Sequence, residues 1–456
     1  MSAVWVALIV PWAAGGVLVL LDGRRRVVGW LAVAVLATNL VALVVLAAEV
    51  LSGGPAEVTT GDWPAGVGIT LRADALGAVF AGLSSLAVLA ATAFEVLDGV
   101  RERVFPGLAV VLTAGLTGVF VTGDLFNFYV FFELAMTAAY VLATYGGRRR
   151  ELGGALVFAT VNLFGTFVFL ISVAGVYHVT GTLDMAAIAA RMDDVNPNAA
   201  VLIAVGFFVA FGVKLGLFPF HFWLPTVYTS AQPAVAAILS GGLANIGAYG
   251  LLRFGGYLLP GELELAATAL IVVGAASILY GGVLAISRRT GAEMLAYSAI
   301  GQVGYVLVAI GVGGPVGFGA AVLYAIVNAL NKTLLFLSAQ IRGAFVAAAF
   351  AIGAMSIAGL PPAAGFVGKL ELFRAAGGDA TLLALLFLGG ALSFVYAFQV
   401  YQYDFWRGER TGPRAGRPQQ ALIAGLALVV LALGLWPEPL LALSHDAAAV
   451  LDGGAR

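Results

Sequence analysis

Of the 23 basic residues in this 456-residue chain three are lysine, Lys214, Lys332 and Lys369, and each stands within or beside an apolar segment. Arginine stays charged in any protein environment, whereas a lysine withdrawn from water can give up its proton. The split implies that arginine anchors loops while lysine supplies a switchable charge. Lys214 is the sharpest case. Phe211 to Tyr228 reads Phe-Gly-Val-Lys-Leu-Gly-Leu-Phe-Pro-Phe-His-Phe-Trp-Leu-Pro-Thr-Val-Tyr, an ammonium followed five residues later by a proline. In hydrocarbon an ammonium and a carbonyl freed by proline are both costly, so this stretch has to face protein or water inside a helical bundle.

The natural partner of Lys214 is Glu133, in Leu-Phe-Asn-Phe-Tyr-Val-Phe-Phe-Glu-Leu-Ala-Met (125 to 136), the one acid expected near mid-membrane. As a pair each holds the other charged; separated, each tends toward neutral, and that coupling can move a proton. A static buried ion pair is the plainer alternative. Lys332 lies in Val-Asn-Ala-Leu-Asn-Lys-Thr-Leu-Leu-Phe-Leu, with Asn328 four residues back on the same helical face and Asn331 and Thr333 beside it. This composition suits a hydrated patch, or else asparagine-mediated helix packing without transport. Lys369 follows Pro361-Pro362 and precedes Glu371 and Arg374. It is either a third internal charge or a residue that snorkels to the interface and pairs with Glu371. His221, between Phe220 and Phe222, is a candidate proton relay, though an aromatic-belt position is the preferred reading. Ser287, Arg288, Arg289, Tyr297, Ser298 and Gln302 read as a polar cytoplasmic entrance to the helix that follows, with the arginines as anchors.

The elements that must position these residues follow from composition. With 61% hydrophobic and 10% charged residues the chain reads as an all-α polytopic membrane protein. A span needs about 20 apolar residues. Helices are expected near 3–21, 28–50, 75–97, 106–122, 126–145, 153–177, 198–218, 232–253, 264–286, 293–312, 316–340, 344–360 continuing to 376, 380–404 and 420–436, about fourteen spans in all. The arginine clusters at 24–26, 101 and 103, 148–150, 288–289, 342 and 407–417 follow odd-numbered helices, which puts those loops in the cytoplasm and both termini outside. The loop around 220–232 is inside by the same parity yet has no arginine. The first apolar run lacks a positive region before it and carries Arg24, Arg25 and Arg26 after it, so a first span rather than a cleaved signal is expected. Of the long external loops, 52–74 and 180–197, the second is expected to include a short surface helix. No polar linker divides the chain, so residues 1–456 read as one domain. Within it two segments, at Lys214 to Pro219 and at Gly359 to Lys369, are proline-interrupted in corresponding places, the mark of an inverted-repeat transporter.

The absence of cysteine excludes disulfides, thiolate metal sites and iron-sulfur clusters, and His178, His221 and His445 are not spaced as ligands. No cofactor is expected. No P-loop, dinucleotide fingerprint or nucleophile elbow is present, and a net charge of −1 gives no sign of nucleic-acid binding.

At these residues the chain resembles the proton-translocating antiporter-like subunits shared by Mrp-type multisubunit Na+/H+ antiporters and the membrane arm of NADH-quinone oxidoreductase. Thr-Gly-Asp-Leu-Phe-Asn-Phe-Tyr-Val-Phe-Phe-Glu (122 to 133) is most similar to the D-type Mrp subunits. Lys-Leu-Gly-Leu-Phe-Pro-Phe-His-Phe-Trp-Leu-Pro (214 to 225), Ala-Tyr-Ser-Ala-Ile-Gly-Gln-Val-Gly-Tyr (296 to 305), Lys-Thr-Leu-Leu-Phe-Leu (332 to 337) and Gly-Leu-Pro-Pro-Ala-Ala-Gly-Phe-Val-Gly-Lys (359 to 369) extend the similarity across most of the chain. The resemblance implies fourteen helices with two inverted five-helix repeats, about 106–254 and 262–404, flanking helices at both ends and two proline-broken helices. It further implies a mid-membrane proton relay, with Glu133 and Lys214 as a modulating ion pair and Lys332 and Lys369 as carriers of the second half. Its implied setting is the plasma membrane, in a hetero-oligomer with other membrane subunits, moving protons and Na+. Three features depart from the family pattern. Leu-Ala-Asn-Ile-Gly places Asn245 where a lysine is usual, Tyr324 and Asn328 stand where histidine is frequent, and the loop 341–344 is short. An amide takes up no proton near neutral pH, so Asn245 interrupts the titratable series unless water bridges it. Two other readings therefore stand beside the antiporter subunit: a membrane-arm subunit of a quinone reductase or membrane-bound hydrogenase, and a scaffold that has lost transport.

Overall fold

The computed structural model describes residues 3–62, 68–407 and 413–451. Its helices are α1 (Ala3–Leu20), α2 (Arg26–Gly53), α3 (Ala75–Asp98), α4 (Phe105–Val121), α5 (Leu125–Ala143), α6 (Arg149–Thr180), α7 (Met185–Arg191), α8 (Pro197–Leu215) and α9 (Trp223–Ser230). Next, α10 (Pro233–Ala237) and α11 (Asn245–Gly250) are joined by π-helical turns at Ile238–Leu243 and Leu251–Leu258 into one rod, 233–258. The rest are α12 (Pro260–Ile286), α13 (Gly291–Val312), α14 (Gly314–Ser338), α15 (Ala344–Ala358), α16 (Ala364–Ala375), α17 (Ala380–Tyr401), α18 (Arg417–Leu435) and α19 (Glu438–Ala449). Among the described residues 12 helices are long and apolar enough to cross a bilayer, counting α8 with α9 as one and the rod as one. The shorter apolar helices α4 and α15 complete the fourteen expected crossings.

Two features were not expected. Within the loop 52–74, β1 (Ala56–Thr59) pairs antiparallel with β2 (Thr70–Ala73) in register Ala56 to Ala73, the one sheet among the described residues. Beyond the last expected span, α19 packs on α14. The surface helix expected in loop 180–197 is α7, whose first turn is capped by the Asp184 carboxylate accepting from Ala187 N–H at 2.9 Å.

Hydrogen bonds between loops sort them onto two faces. On one, Gly23 N–H donates to Arg103 O (2.9 Å) and Arg24 Nε to Arg101 O (3.2 Å); Arg342 N–H donates to Pro413 O (2.9 Å), a separate pair of loops that the parity of the crossings puts on the same face. On the other, Gly123 N–H donates to Thr70 O (2.9 Å) and Leu125 N–H to Leu183 O (2.8 Å). The arginine-free loop 220–232 belongs to the first face because its neighbours supply the cations. Arg101 Nη1 donates to Gln232 Oε1 (2.9 Å) and Arg150 Nη2 to Ser230 O (3.3 Å).

The rod and α14 are almost wholly enclosed, as are α3 and α13, whereas α1, α2, α6, α12, α17 and α18 leave most of their surface outward. A helix apolar on every side is stable either in a core or against lipid, so these sequences satisfy both positions without an amphipathic stripe. The rod at the centre packs directly on the first proline-broken helix, α8 with α9, and reaches the second, α15 with α16, by way of α14, which packs on both.

Candidate functional site

The first half of the site begins where α8 stops. Gly216 adopts the left-handed conformation (φ 67°) that ends the helix, and Pro219 cannot donate into a resumed ladder until α9 starts at Trp223. Lys214 therefore sits in the last turn of a half-helix and is 7% exposed. Its Nζ donates to Asn162 O and to Thr166 Oγ1, both at 3.1 Å, and lies 4.3 Å from the centre of the Phe132 ring. The Thr166 hydroxyl stands 2.7 Å from Glu133 Oε1 and 3.1 Å from Asn162 O, and its one hydrogen serves one of them at a time. Glu133 and Lys214 are thus brought together, but through a threonine rather than in direct contact. The reason is that α6 packs against both α5 and α8 and interposes the face carrying Asn162 and Thr166. Sequence reading missed these two residues. Their signal was an (i, i+4) polar pair within an otherwise apolar helix. Asn162 and Lys214 also line a cavity of about 10 Å³, together with Phe132, Phe158, Tyr228 and Ile246. That volume is about one water.

Asn245 lies in the rod between its two π-helical turns, and is buried. Its amide nitrogen donates to Ser84 Oγ (3.0 Å) and Gly241 O (2.8 Å), so both N–H groups are committed to holding α3 to the rod. One turn earlier the rod reaches the second half directly. A Cβ at Gly241 would lie 3.1 Å from Ala329 O and 3.3 Å from Thr333 Cβ, so only glycine lets the rod touch α14 beside Lys332.

In the second half Lys332 is 4% exposed, and among the described residues neither a hydrogen-bond acceptor nor a carboxylate reaches its ammonium. Asn328 and Asn331, on the same helix, each have a buried Oδ1 with no partner among the described residues. Asn328 therefore does not hold Lys332, although helical spacing puts both on one face. Lys369, 5% exposed, reaches back across the second break and donates to Ala358 O (3.1 Å) at the end of α15, where Gly359 (φ 80°) terminates that helix. A helix C-terminus carries partial negative charge and free carbonyls, which suits an ammonium. Lys369 Nζ also stands 4.9 Å from the centre of the Tyr305 ring. It does not pair with Glu371, which binds Arg374 instead.

Tyr324 is hydrogen-bonded to Gln302 Oε1, and Gln302 Nε2 donates to Tyr396 OH (2.9 Å) and Ser393 Oγ (3.3 Å), with Ser298 Oγ 2.8 Å from Tyr396 OH. Ser298 and Gln302 are buried, so they belong to the bundle interior rather than to a cytoplasmic entrance. Tyr396 and Ser393, on α17, were missed because neither stands out from a long apolar run. His221 is half-buried, with its ring 4.3 Å from that of Tyr280 and 5.6 Å from that of Phe218. It joins neither cluster of polar groups.

Three buried charged residues outside this line, Arg253, Asp74 and Glu95, also escaped sequence reading. Arg253 Nη2 lies 2.6 Å from Asp74 Oδ1, and its Nε donates to Tyr249 OH (3.1 Å), closing the rod onto the start of α3. Glu95 accepts from Tyr145 OH at 2.6 Å. Burial, and then the adjoining Glu95 carboxylate, push the Tyr145 phenol above its ordinary range, so it remains the donor.

A bundle with the membrane crossings counted above and ammonium groups sealed at the ends of broken helices is an ion-transporting kind of membrane protein. Residues 122–394 match the family described as NADH:quinone oxidoreductase/Mrp antiporter, and the chain belongs to that family. It is 30% identical to the D-type Na(+)/H(+) antiporter subunit of Alkalihalophilus pseudofirmus, across 96% of this chain and 95% of the relative. It is 32% identical to the N-type NADH-quinone oxidoreductase subunit of Desulforudis audaxviator, across 89% and 87%. A solved Mrp complex from a Dietzia species contains a chain that superposes with a TM-score of 0.91 at 28% identity, covering 99% of this chain and 97% of that one.

Proposed function

We propose that this chain is the D-type member of a Na+/H+ antiporter complex, and that protons move through it by way of Glu133, Lys214, Lys332 and Lys369. The observation that carries the reading is where buried polar atoms lack protein partners. Of the thirteen buried polar side-chain atoms unmatched among the described residues, four, Asn162 Oδ1, Ser240 Oγ, Asn328 Oδ1 and Asn331 Oδ1, lie on the elements that run from Lys214 to Lys332. Unmatched buried polar groups cost about 1–3 kcal/mol each and are rare in folded interiors, so a row of them suits a path for water and protons.

In the first half the chemistry balances without a cofactor. Lys214 passes a proton to Thr166 Oγ as Thr166 passes its own to Glu133, which turns a charged pair into a neutral one; the reverse restores it. Lys332 lacks any anion among the described residues and Lys369 has only a carbonyl and a ring face, so each accepts or loses a proton without breaking an ion pair. Between the halves, Asn245 offers its oxygen to water while its nitrogen holds Ser84 and Gly241. The repeats 106–254 and 262–404 each contribute one broken helix to this line.

Glu133 is partly exposed on an outer wall that also presents Phe126, Val130, Phe164 and Phe167. A carboxylate facing lipid is costly, so this wall suits a neighbouring subunit of the complex. The arginine-bearing face is assigned to the cytoplasm and the termini to the outside. The test is Na+-driven proton movement in everted vesicles containing the whole complex. Normal rates in both Lys214→Ala and Glu133→Ala would sink the relay.

The similarity to an N-type NADH-quinone oxidoreductase subunit favours one rival, a proton channel in a redox-driven membrane arm. Purification in mild detergent separates the two: flavin and iron-sulfur proteins accompany the chain in the rival case, small membrane subunits alone in ours. The scaffold reading gains support if Asn245→Lys and the three lysine-to-alanine variants all leave transport unchanged.

A further inference from the structure

Glu151 is 0% exposed although it lies in the first turn of α6 on the arginine-bearing face. Gln232 Nε2 donates to its Oε1 at 3.0 Å, and its Oε2 is buried with no partner among the described residues. The other end of the same amide is held from outside, since Gln232 Oε1 accepts from Arg101 Nη1 at 2.9 Å. Arg101, whose side chain is 48% exposed, is the group of this series that meets solvent. Around it stand Glu95, 3.9 Å from Arg101 Nε; Asp98, 3.3 Å from Nη2; and Glu102, which accepts from Gly146 N–H at 2.6 Å. Arg150 is turned to Ser230 O. Among the described residues no ion pair within 4 Å is made by Glu151.

What makes this carboxylate informative is its position along α6. Glu151, Phe158, Asn162 and Thr166 are all buried on that helix, and the eleven residues from Glu151 to Asn162 are close to three turns, roughly 16 Å. Glu151 therefore shares a face with the two residues that hold Lys214. Between them Phe158 stacks on Trp223 (ring centres 5.1 Å apart), and both rings line the cavity beside Lys214.

Building on the relay described above, we propose that Glu151 is the carboxylate through which protons from the arginine-bearing side reach Lys214, with the Arg101–Gln232 pair as its outer latch and Phe158–Trp223 as its inner one. A hydronium gives its proton to Oε2. The carboxyl then passes it inward along waters admitted past the Phe158–Trp223 pair, the last of them in the cavity, and on to the neutral Lys214 amine, which becomes ammonium as Glu151 returns to carboxylate.

The test uses the whole complex in everted vesicles, whose bath meets the cytoplasmic side, and in right-side-out vesicles, with assembly checked in mild detergent. Glu151→Gln is expected to lower the initial rate about tenfold and to flatten its dependence on bath pH in everted vesicles. The dependence on external pH in right-side-out vesicles stays as in the wild type, and Glu151→Asp recovers part of the rate. Gln232→Leu, which frees Oε1, shifts the cytoplasmic pH at which the rate is half-maximal. Wild-type rate and pH response in an assembled Glu151→Gln complex overturn the proposal, as does an equal change from both sides, which is the mark of a purely structural role. Should Glu151→Gln fail to assemble, unchanged pH profiles in Glu151→Asp and Gln232→Leu overturn it. Lys214→Ala is measured in parallel. If that variant is inactive while Glu151→Gln is silent, the inlet alone is wrong; if both are silent, the relay has failed and the inlet with it.

Discussion

The two halves of the molecule bury lysine in opposite ways. In the first, the Lys214 ammonium has two oxygen acceptors, a ring face and, one hydroxyl away, a carboxylate. In the second, Lys369 has one helix-end carbonyl and a ring face, and Lys332 has no hydrogen-bond or ion-pair partner among the described residues, while the hydrogen bonds nearby run through neutral tyrosine, glutamine and serine. A buried charge is stable when an opposite charge and hydrogen bonds replace water, and poised to change when they do not. Under the proposed relay, the first half responds to charge from a neighbouring subunit at Glu133 and the second passes a proton onward.

This contrast can be broken most sharply at the bridge itself. Lys214→Ala and Glu133→Gln are each expected to lower Na+-driven proton movement by about a hundredfold or more, because both remove an acid–base partner. A residual rate near wild type would erase the distinction between the halves. Thr166→Val keeps the shape and deletes the hydroxyl. It should cost about tenfold, with Thr166→Ser close to wild type, since serine also accepts from Lys214 and donates to Glu133. Equal rates for valine and serine would mean that Lys214 and Glu133 communicate without the bridge. Tyr324→Phe removes one member of a neutral network with alternative bonds and is expected to lower the rate only about threefold. A loss as deep as that of Thr166→Val would make the second half as dependent on a single hydroxyl as the first. The smallest effect lies at the edge of the first half, at Asp124, which caps α5 by accepting from Asn127 N–H at 2.7 Å. Asp124→Ala should cost about 1 kcal/mol in thermal stability and Asp124→Asn much less, because asparagine caps nearly as well. Burial raises the Asp124 carboxyl above the usual carboxylate range, which further lessens what the neutral amide loses.

Much of this was legible beforehand. Arginine parity and hydropathy located the crossings because both reflect the cost of leaving charge or bare backbone in lipid, a cost paid residue by residue along the chain. The same cost singled out the three lysines and Glu133. The pairings were less accessible. Glu371 is two residues from Lys369 in the sequence, yet it binds Arg374 at the next helical turn while the lysine folds back to Ala358 O. Asn328 lies four residues before Lys332, but shared helical face did not make a contact. Gln302 was placed at a cytoplasmic entrance from its neighbours in sequence, whereas α17 encloses it.

From sequence alone came the membrane class, the number of crossings, the two broken helices and the three lysines with Glu133, because each depends on local chemistry against a uniform solvent. Tertiary structure decided which groups meet. It set Thr166 between Lys214 and Glu133, committed Asn245 to Ser84 and Gly241, and left Lys332 without a partner among the described residues. Those outcomes depend on the distance and rotation between helices far apart in the chain. Packing of the whole bundle determines both, and no local pattern encodes either.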